Sequence, residues 1–175
     1  MRTFLQNEQL RLRSPEPEDL EFLYRCENDT SLWQYGSTLS PFSKYALHQY
    51  ISQAEQNIFV SRQLRFMIDS KKDDCVVGTI DLYDFDPYHN RAGVGILIDK
   101  AYQRRGYATQ ALKLLIEFAF GFLHIHQLYA YIPTENTDSL ALFGKLGFEQ
   151  SGVLKDWNMG LDKYKDIAVF QLIAP

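Results

Sequence analysis

Residues 91–123 constrain the fold more than any other stretch of this chain. RAGVGILID (91–99) is an apolar run of the kind a strand buried on both faces requires. From Arg105 to Leu123, the residues Ala108, Ala111, Leu112, Leu115, Phe118, Ala119 and Phe122 recur at helical spacing. Between these segments lies the turn KAYQRRG, and no acidic residue follows it until Glu117. A strand that feeds a helix through such a turn opens a strand–helix–strand crossover, which commits the chain to an α/β arrangement. It also leaves the first N–H groups of the helix unpartnered beside two arginines, which is the physical description of an anion site.

The flanking segments complete that arrangement. LRLR (10–13) alternates as a short strand, and a helix start follows in SPEPEDLEFLYRCE, with Pro17 in its first turn and Glu18 and Asp19 at its positive end. Residues 29–42 read as loop, and SKYALHQYISQAEQNIF reads as a second helix from Ser43. Strands are expected near 64–69 and 75–83 across the polar turn SKKDD, with DFDPYHN (84–90) as the next turn. LYAYIP (128–133) reads as a strand, TDSLALFGKLG as a short helix ended by Gly147, and 148–154 and 164–173 as closing strands. The expected fold is a mixed, mostly antiparallel sheet flanked by helices. With no repeat or linker, 1–175 reads as one domain.

Composition excludes several classes. A net charge of −4 argues against a nucleic-acid binder, which needs a basic surface. Cys26 and Cys75 have neither metal nor redox spacing, and the four histidines show no zinc-like grouping, so no metal is expected. No apolar stretch reaches the length of a membrane span, and the first residues lack a signal-peptide core, so a cytoplasmic protein is expected.

The basic turn has the parts an anion needs: Gly106 removes a Cβ where a phosphate would approach, Arg104 and Arg105 add charge, and Thr109 adds a hydroxyl. It is not a P-loop, and Gly93–Gly95 lacks the third glycine of a dinucleotide fingerprint. QRRGYA (103–108) resembles the Q/R-x-x-G-x-G/A signature of the GNAT acetyltransferase superfamily. The likeness extends through RAGVGILIDKAYQRRGYATQAL and through NTDSLALFGKLGF, which resembles the segment N-x-x-S-x-x-x-[YF]-x-K-L-G-F. The opening LRLRSPEPEDLEFLY and the ending NMGLDKYKDIAVFQLI are similar to the subgroup of ribosomal-protein N-terminal acetyltransferases and bacterial spermidine acetyltransferases.

That resemblance implies a GNAT fold with a splayed central strand pair and direct acetyl transfer from acetyl-CoA to a primary amine, either a protein N-terminus or a small amine or polyamine. A homo-oligomer is compatible with it. It assigns the pyrophosphate to the turn Arg104–Arg105–Gly106–Tyr107–Ala108–Thr109 and the pantetheine arm to the main chain of Ile96, Leu97 and Ile98. Asn136 matches the residue whose amide reaches the same arm, while its own chemistry equally suits a helix N-cap. Many relatives place a tyrosine general acid where this chain has Phe143. Ser139, one helical turn earlier, matches the serine proposed to take over that role, or is a plain first-turn residue. On the acceptor side the resemblance points to Trp33 and Tyr35 in SLWQYGSTLSPF and to Asp81, which either docks an ammonium or is a solvated strand carboxylate. The absence of the paired acids that polyamine enzymes carry in that loop weakens a spermidine assignment. The Phe143 departure supports a different class of reading, a catalytically weak acyl-CoA-binding module with a regulatory role.

Overall fold

The computed structural model describes residues 4–36, 38–54 and 57–175. Strands β1 (Leu10–Arg13), β2 (Leu64–Ser70), β3 (Cys75–Asp86), β4 (Arg91–Ile98), β5 (Gln127–Pro133), β6 (Glu149–Met159) and β7 (Tyr164–Ile173) form one sheet in the order β1-β2-β3-β4-β5-β7-β6. All neighbours are antiparallel except β4 and β5, which the crossover makes parallel. Among the described residues the connecting α-helices are α1 (Leu20–Glu27), α2 (Thr30–Trp33), α3 (Lys44–Ser52), α4 (Ile58–Ser61), α5 (Tyr107–Gly121) and α6 (Thr137–Lys145).

Helix α5 buries Ala111, Leu112, Leu115, Phe118 and Ala119, the stripe its periodicity marks, against one face of the sheet. There it meets Ile80, Leu82, Ala92, Val94, Leu128, Ala130 and Ile132, each fully or almost fully buried. Full burial of one such side chain contributes roughly 1.5–3 kcal/mol, so this layer is the main source of stability. Phe122 lies past the helix end and is exposed. The other face carries a smaller core, where Leu23 of α1 and Leu47 and Ile51 of α3 cover Met67.

Several expectations are corrected. The segment 29–42 is not all loop, because Asp29 caps the one-turn helix α2 by accepting from the Ser31 N–H at 3.0 Å. The second helix stops at Ser52 rather than running to Phe59. Its last part is the separate turn α4 with Asn57 as N-cap, and residues 55 and 56 of that expectation lie outside the described residues. Strand β3 extends to Asp86, beyond the turn expected at 84. Asp19 does more than the expectation gave it: it sits in the acidic first turn and accepts from the Glu16 N–H at 2.8 Å. It is also buried, accepting from both Nη groups of Arg13 at 2.7 and 2.9 Å. The apolar run 91–99 is not buried throughout: Gly95, Ile96 and Leu97 are only half-buried. The physical reason is that β4 loses its partner on one side.

Candidate active site

Strands β4 and β5 pair only through Arg91–Gln127, Ala92–Leu128 and Gly93–Tyr129. β4 continues to Ile98 and β5 to Pro133 without further pairing, so the strands part beyond Gly93. A cleft of about 580 Å³ includes this opening. It takes in Ile96, Leu97 and Ile98 from β4, and Arg104, Gly106, Tyr107 and Ala108 from the basic turn. Asn136 and Ser139 border it from α6, Asp81 from β3, and Trp33 and Tyr35 from the acceptor-side loop. Residues far apart in sequence are thus brought to one cavity, as expected. Two are not: Arg105 and Thr109 do not line it, and the Arg105 guanidinium sits instead 5.1 Å from the Tyr102 ring centre.

The turn is built for an anion. Gly106 is the N-cap of α5 with φ +83°, and no side chain caps the helix. The first internal bond is Gln110 N–H to the Gly106 carbonyl, so the earlier N–H groups are free of helical partners. A Cβ on Gly106 would meet nothing within 4 Å, which leaves space directly above those N–H groups. Arg104 also takes a left-handed φ of +61°. The loop is held from below by Gln103, whose Nε2 donates to the Ile98 carbonyl at 3.0 Å. That carbonyl is therefore occupied. The Asp99 N–H bonds the Val77 carbonyl, so Leu97, two residues back and opposite Thr79, also turns its main chain toward β3. Ile96 is the residue of the predicted set whose main chain faces the opening. The Tyr107 ring turns away from the opening and its hydroxyl bonds Asp73 and, at 3.0 Å, Ser70, tying the turn to the β2–β3 hairpin.

On α6 Asn136 is the helix N-cap and also borders the cleft. Its Oδ1 accepts from the Ser139 N–H at 3.2 Å as N-cap, which leaves the Nδ2 amide for a ligand in the cleft. Ser139 and Leu142 line the cleft, whereas Phe143 does not. At about 100° per residue the cleft-facing line falls between the first two. Phe143 is rotated into the core, buried and edge-on to Phe148 at 4.9 Å. Ser139 and Phe143 therefore share a helix side but not an environment.

The end of the cleft lined by Asp81, Trp33 and Tyr35 holds the main surprise. Asp81 is neither a free nor a plainly solvated carboxylate: Arg65 grips it with Nε at 2.7 Å and Nη2 at 2.9 Å. The same guanidinium reaches Glu27 at 2.5 Å. Burial works against the Arg65 charge, but Asp81 and then Glu27 hold its pKa well above the ordinary value. The cluster lines the cleft with two carboxylates for one cation, a net negative charge. Trp33 is fixed nearby by its Nε1–H on the Glu27 carbonyl at 2.8 Å. Tyr35 lies 5.9 Å from the Lys165 ammonium, and Lys165 also binds Gln34 at 3.0 Å and Glu135 at 3.1 Å, strapping the loop to β7. Glu27 and Arg65 are the functional candidates the sequence did not show. Nothing local marks them, and their link to Asp81 exists only across the sheet.

A parted parallel strand pair beside an uncapped glycine turn puts unpaired main-chain groups and free helix N–H groups on one cleft, an arrangement that can take a long ligand with an anionic end. The family model for the acetyltransferase (GNAT) domain matches residues 9–149, and the chain belongs to that family. It is an acetyl-CoA-dependent N-acetyltransferase. It is 28% identical over 145 residues to the spermidine N(1)-acetyltransferase of Escherichia coli, covering 83% of this chain and 75% of the relative. The fold matches the crystal structure of the Vibrio cholerae spermidine N-acetyltransferase in complex with CoA and spermine, with TM-score 0.86 at 23% identity over 95% and 96% of the two chains. It also matches a putative ribosomal-protein-serine acetyltransferase from Vibrio cholerae, with TM-score 0.75 at 25% identity over 98% and 97%. Among the described residues, no helix is long and apolar enough to cross a membrane.

Proposed function

We propose that the chain transfers the acetyl group of acetyl-CoA directly to a primary amine that enters at the acidic end of the cleft. The observation that carries this reading is the Glu27–Arg65–Asp81 cluster at one end of a cavity whose other end is the basic turn. The two ends differ in charge in the sense that a polyanionic cofactor and a cationic acceptor require. In this reading the N–H groups of the α5 first turn hold the diphosphate, with Arg104 at the rim. The main chain of Ile96 and the Asn136 amide hold the arm. Acetyl-CoA, when bound, supplies an acetyl group activated as a thioester.

The residues of the chain then have two proton tasks. An amine at neutral pH arrives as an ammonium and must lose a proton before it can attack, and the Glu27–Asp81 pair attracts the ammonium and accepts that proton through water. The departing thiolate must gain one, and Ser139 is the cleft hydroxyl on α6 that we assign to relay it from water, giving its own proton to sulfur as it takes one from the solvent. Direct transfer is favoured over a cysteine relay. Cys26 lines the cleft, but burial pushes its thiol pKa up to about 11, so it stays protonated and poorly nucleophilic.

An acceptor panel of monoamines, polyamines and peptides with free N-termini tests the reading. Turnover is expected with at least one cationic amine, and Asp81→Asn is expected to lower kcat/KM for that amine about tenfold or more, with acetyl-CoA affinity unchanged. Equal kinetics in the variant would return Asp81 to a purely structural ion pair. The relatives named as spermidine acetyltransferases make spermidine the first probe, and a protein N-terminus stands as the other acceptor.

A second reading, the catalytically weak acyl-CoA-binding module, rests on Phe143, which has no hydroxyl and is turned into the core. Ser139→Ala separates the two. If Ser139 donates the proton, kcat falls by roughly tenfold to a hundredfold without loss of acetyl-CoA binding. Tight acetyl-CoA binding with no turnover of any amine supports the module.

A further inference from the structure

The Gly93–Gly95 pair does not serve a dinucleotide, and the structure shows what stands over it. Ala92 and Val94 are buried against α5, so Gly93 and Gly95 lie on the opposite face of β4, the face that carries Asp81. Gly93 is paired with Tyr83 and Gly95 with Asp81. A Cβ on Gly93 would lie 2.4 Å from the Tyr83 ring. A Cβ on Gly95 would lie 3.8 Å from the same ring and 3.9 Å from Asp81 Oδ2. The Tyr83 ring therefore rests across a bared length of β4, continuous with the acidic end of the cleft.

Two further tyrosines extend this surface. Leu128, Ala130 and Ile132 are buried in the α5 core, which places Tyr129 and Tyr131 on the acceptor face of β5. Tyr129 meets Tyr83 edge-on at 6.1 Å, and Tyr131 follows at 5.4 Å from Tyr129. Gly93–Tyr129 is the last pair before β4 and β5 part. Two residues further along each strand, Gly95 and Tyr131 stand on either side of the opening. Tyr131 is 47% exposed there. Among the described residues no hydrogen bond engages any of the three hydroxyls, and none of them is sealed from solvent.

We propose that Tyr83, Tyr129 and Tyr131 form the aromatic wall of the acceptor site, and that Tyr131 seats the incoming aliphatic amine where β4 and β5 part. The proposal rests on the acidic end of the cleft being the acceptor end. Ring faces carry negative electrostatic potential and attract a cation, while their carbon surface covers the aliphatic chain beside it. The charge around them has the same sense. Asp84 is exposed at the edge of the group, and Asp81 and Glu27 outnumber Arg65. The glycine at 93 is explained in the same terms, since any side chain there would displace the Tyr83 ring.

The test compares wild type, Tyr131→Ala and Tyr131→Phe with butylamine and spermidine at saturating acetyl-CoA. Tyr131→Ala is expected to raise the KM of both amines about tenfold with a smaller change in kcat. Tyr131→Phe is expected to stay near wild type, because the ring rather than the hydroxyl does the seating. Acetyl-CoA affinity by calorimetry should stay within about twofold throughout, which separates seating from a general structural loss. An unchanged amine KM in Tyr131→Ala, or a loss shared equally with acetyl-CoA affinity, overturns the wall. Calorimetric titration of spermidine into protein saturated with coenzyme A reads the wall without turnover. Weaker binding in Tyr131→Ala supports it even if no amine is acetylated, a result that would instead count against the proposed reaction. No binding to wild type overturns both.

Discussion

Gly106→Asp is expected to weaken acetyl-CoA binding by at least about a hundredfold while leaving the fold intact. The fold survives because Asp is among the few residues that tolerate a left-handed φ such as the +83° found here, and no atom lies within 4 Å of the added Cβ. Its carboxylate would stand beside the free N–H groups of the α5 first turn and be drawn to their positive charge. The variant would thus fill its own anion site and set a negative charge against the diphosphate. Gly106→Ala is the control: it pays the backbone strain, roughly 1 kcal/mol, without the charge. Calorimetry with acetyl-CoA, alongside thermal melting of the free protein, checks both. Unchanged affinity in the Asp variant would remove the turn from the binding site.

Arg65→Met is expected to be the most destabilising substitution in the cleft. It removes the cation between Glu27 and Asp81, whose oxygens lie 2.5 and 2.7 Å from the guanidinium, and leaves two half-buried carboxylates facing each other. Removing one partner of such a pair costs about 3 kcal/mol, and for a chain of this size that lowers Tm by roughly 10 °C. The triple variant Glu27→Leu/Arg65→Met/Asp81→Leu should recover much of the loss, because apolar packing replaces a charged cluster well. A single variant that melts within about 2 °C of wild type would show that solvent already screens the cluster. Since the same carboxylates are assigned to the amine, the single variant should also change the acceptor KM while the acetyl-CoA affinity holds.

The half of the cleft proposed for the cofactor could be placed from sequence because it is nearly contiguous. Ile96 to Ala108 forms one strand–turn–helix, and Asn136 to Ser139 is one helix start. Each physical requirement there is local: a main chain without a partner, a glycine with positive φ, an uncapped helix end. The errors inside this half are also local. Arg105 stacks on Tyr102, and Phe143 turns into the core, because a side chain's direction depends on neighbours a motif does not contain. Helix α2 was missed because one turn held by a single cap has no apolar stripe to read.

The sequence by itself determined the crossover, the uncapped basic turn and the mixed sheet, since periodicity and glycine placement state them within a few residues. The acceptor half was decided by the tertiary structure alone, and one bulge shows why. Ser70 pairs with Cys75 and Asp69 with Val76, and continuing that count would set Arg65 opposite Ile80. Val77 is passed over, Ile68 pairs with Gly78, and Arg65 then stands opposite Asp81. A one-residue shift exchanges the two faces of a strand, so the extra residue puts both charges on the cleft side and Ile80 in the core. Tyr131 and Gly95 likewise meet across the opening only because pairing between β4 and β5 ends at Gly93. Where a sheet changes register or stops pairing is set by packing on both of its faces, and no single segment of the chain carries that information.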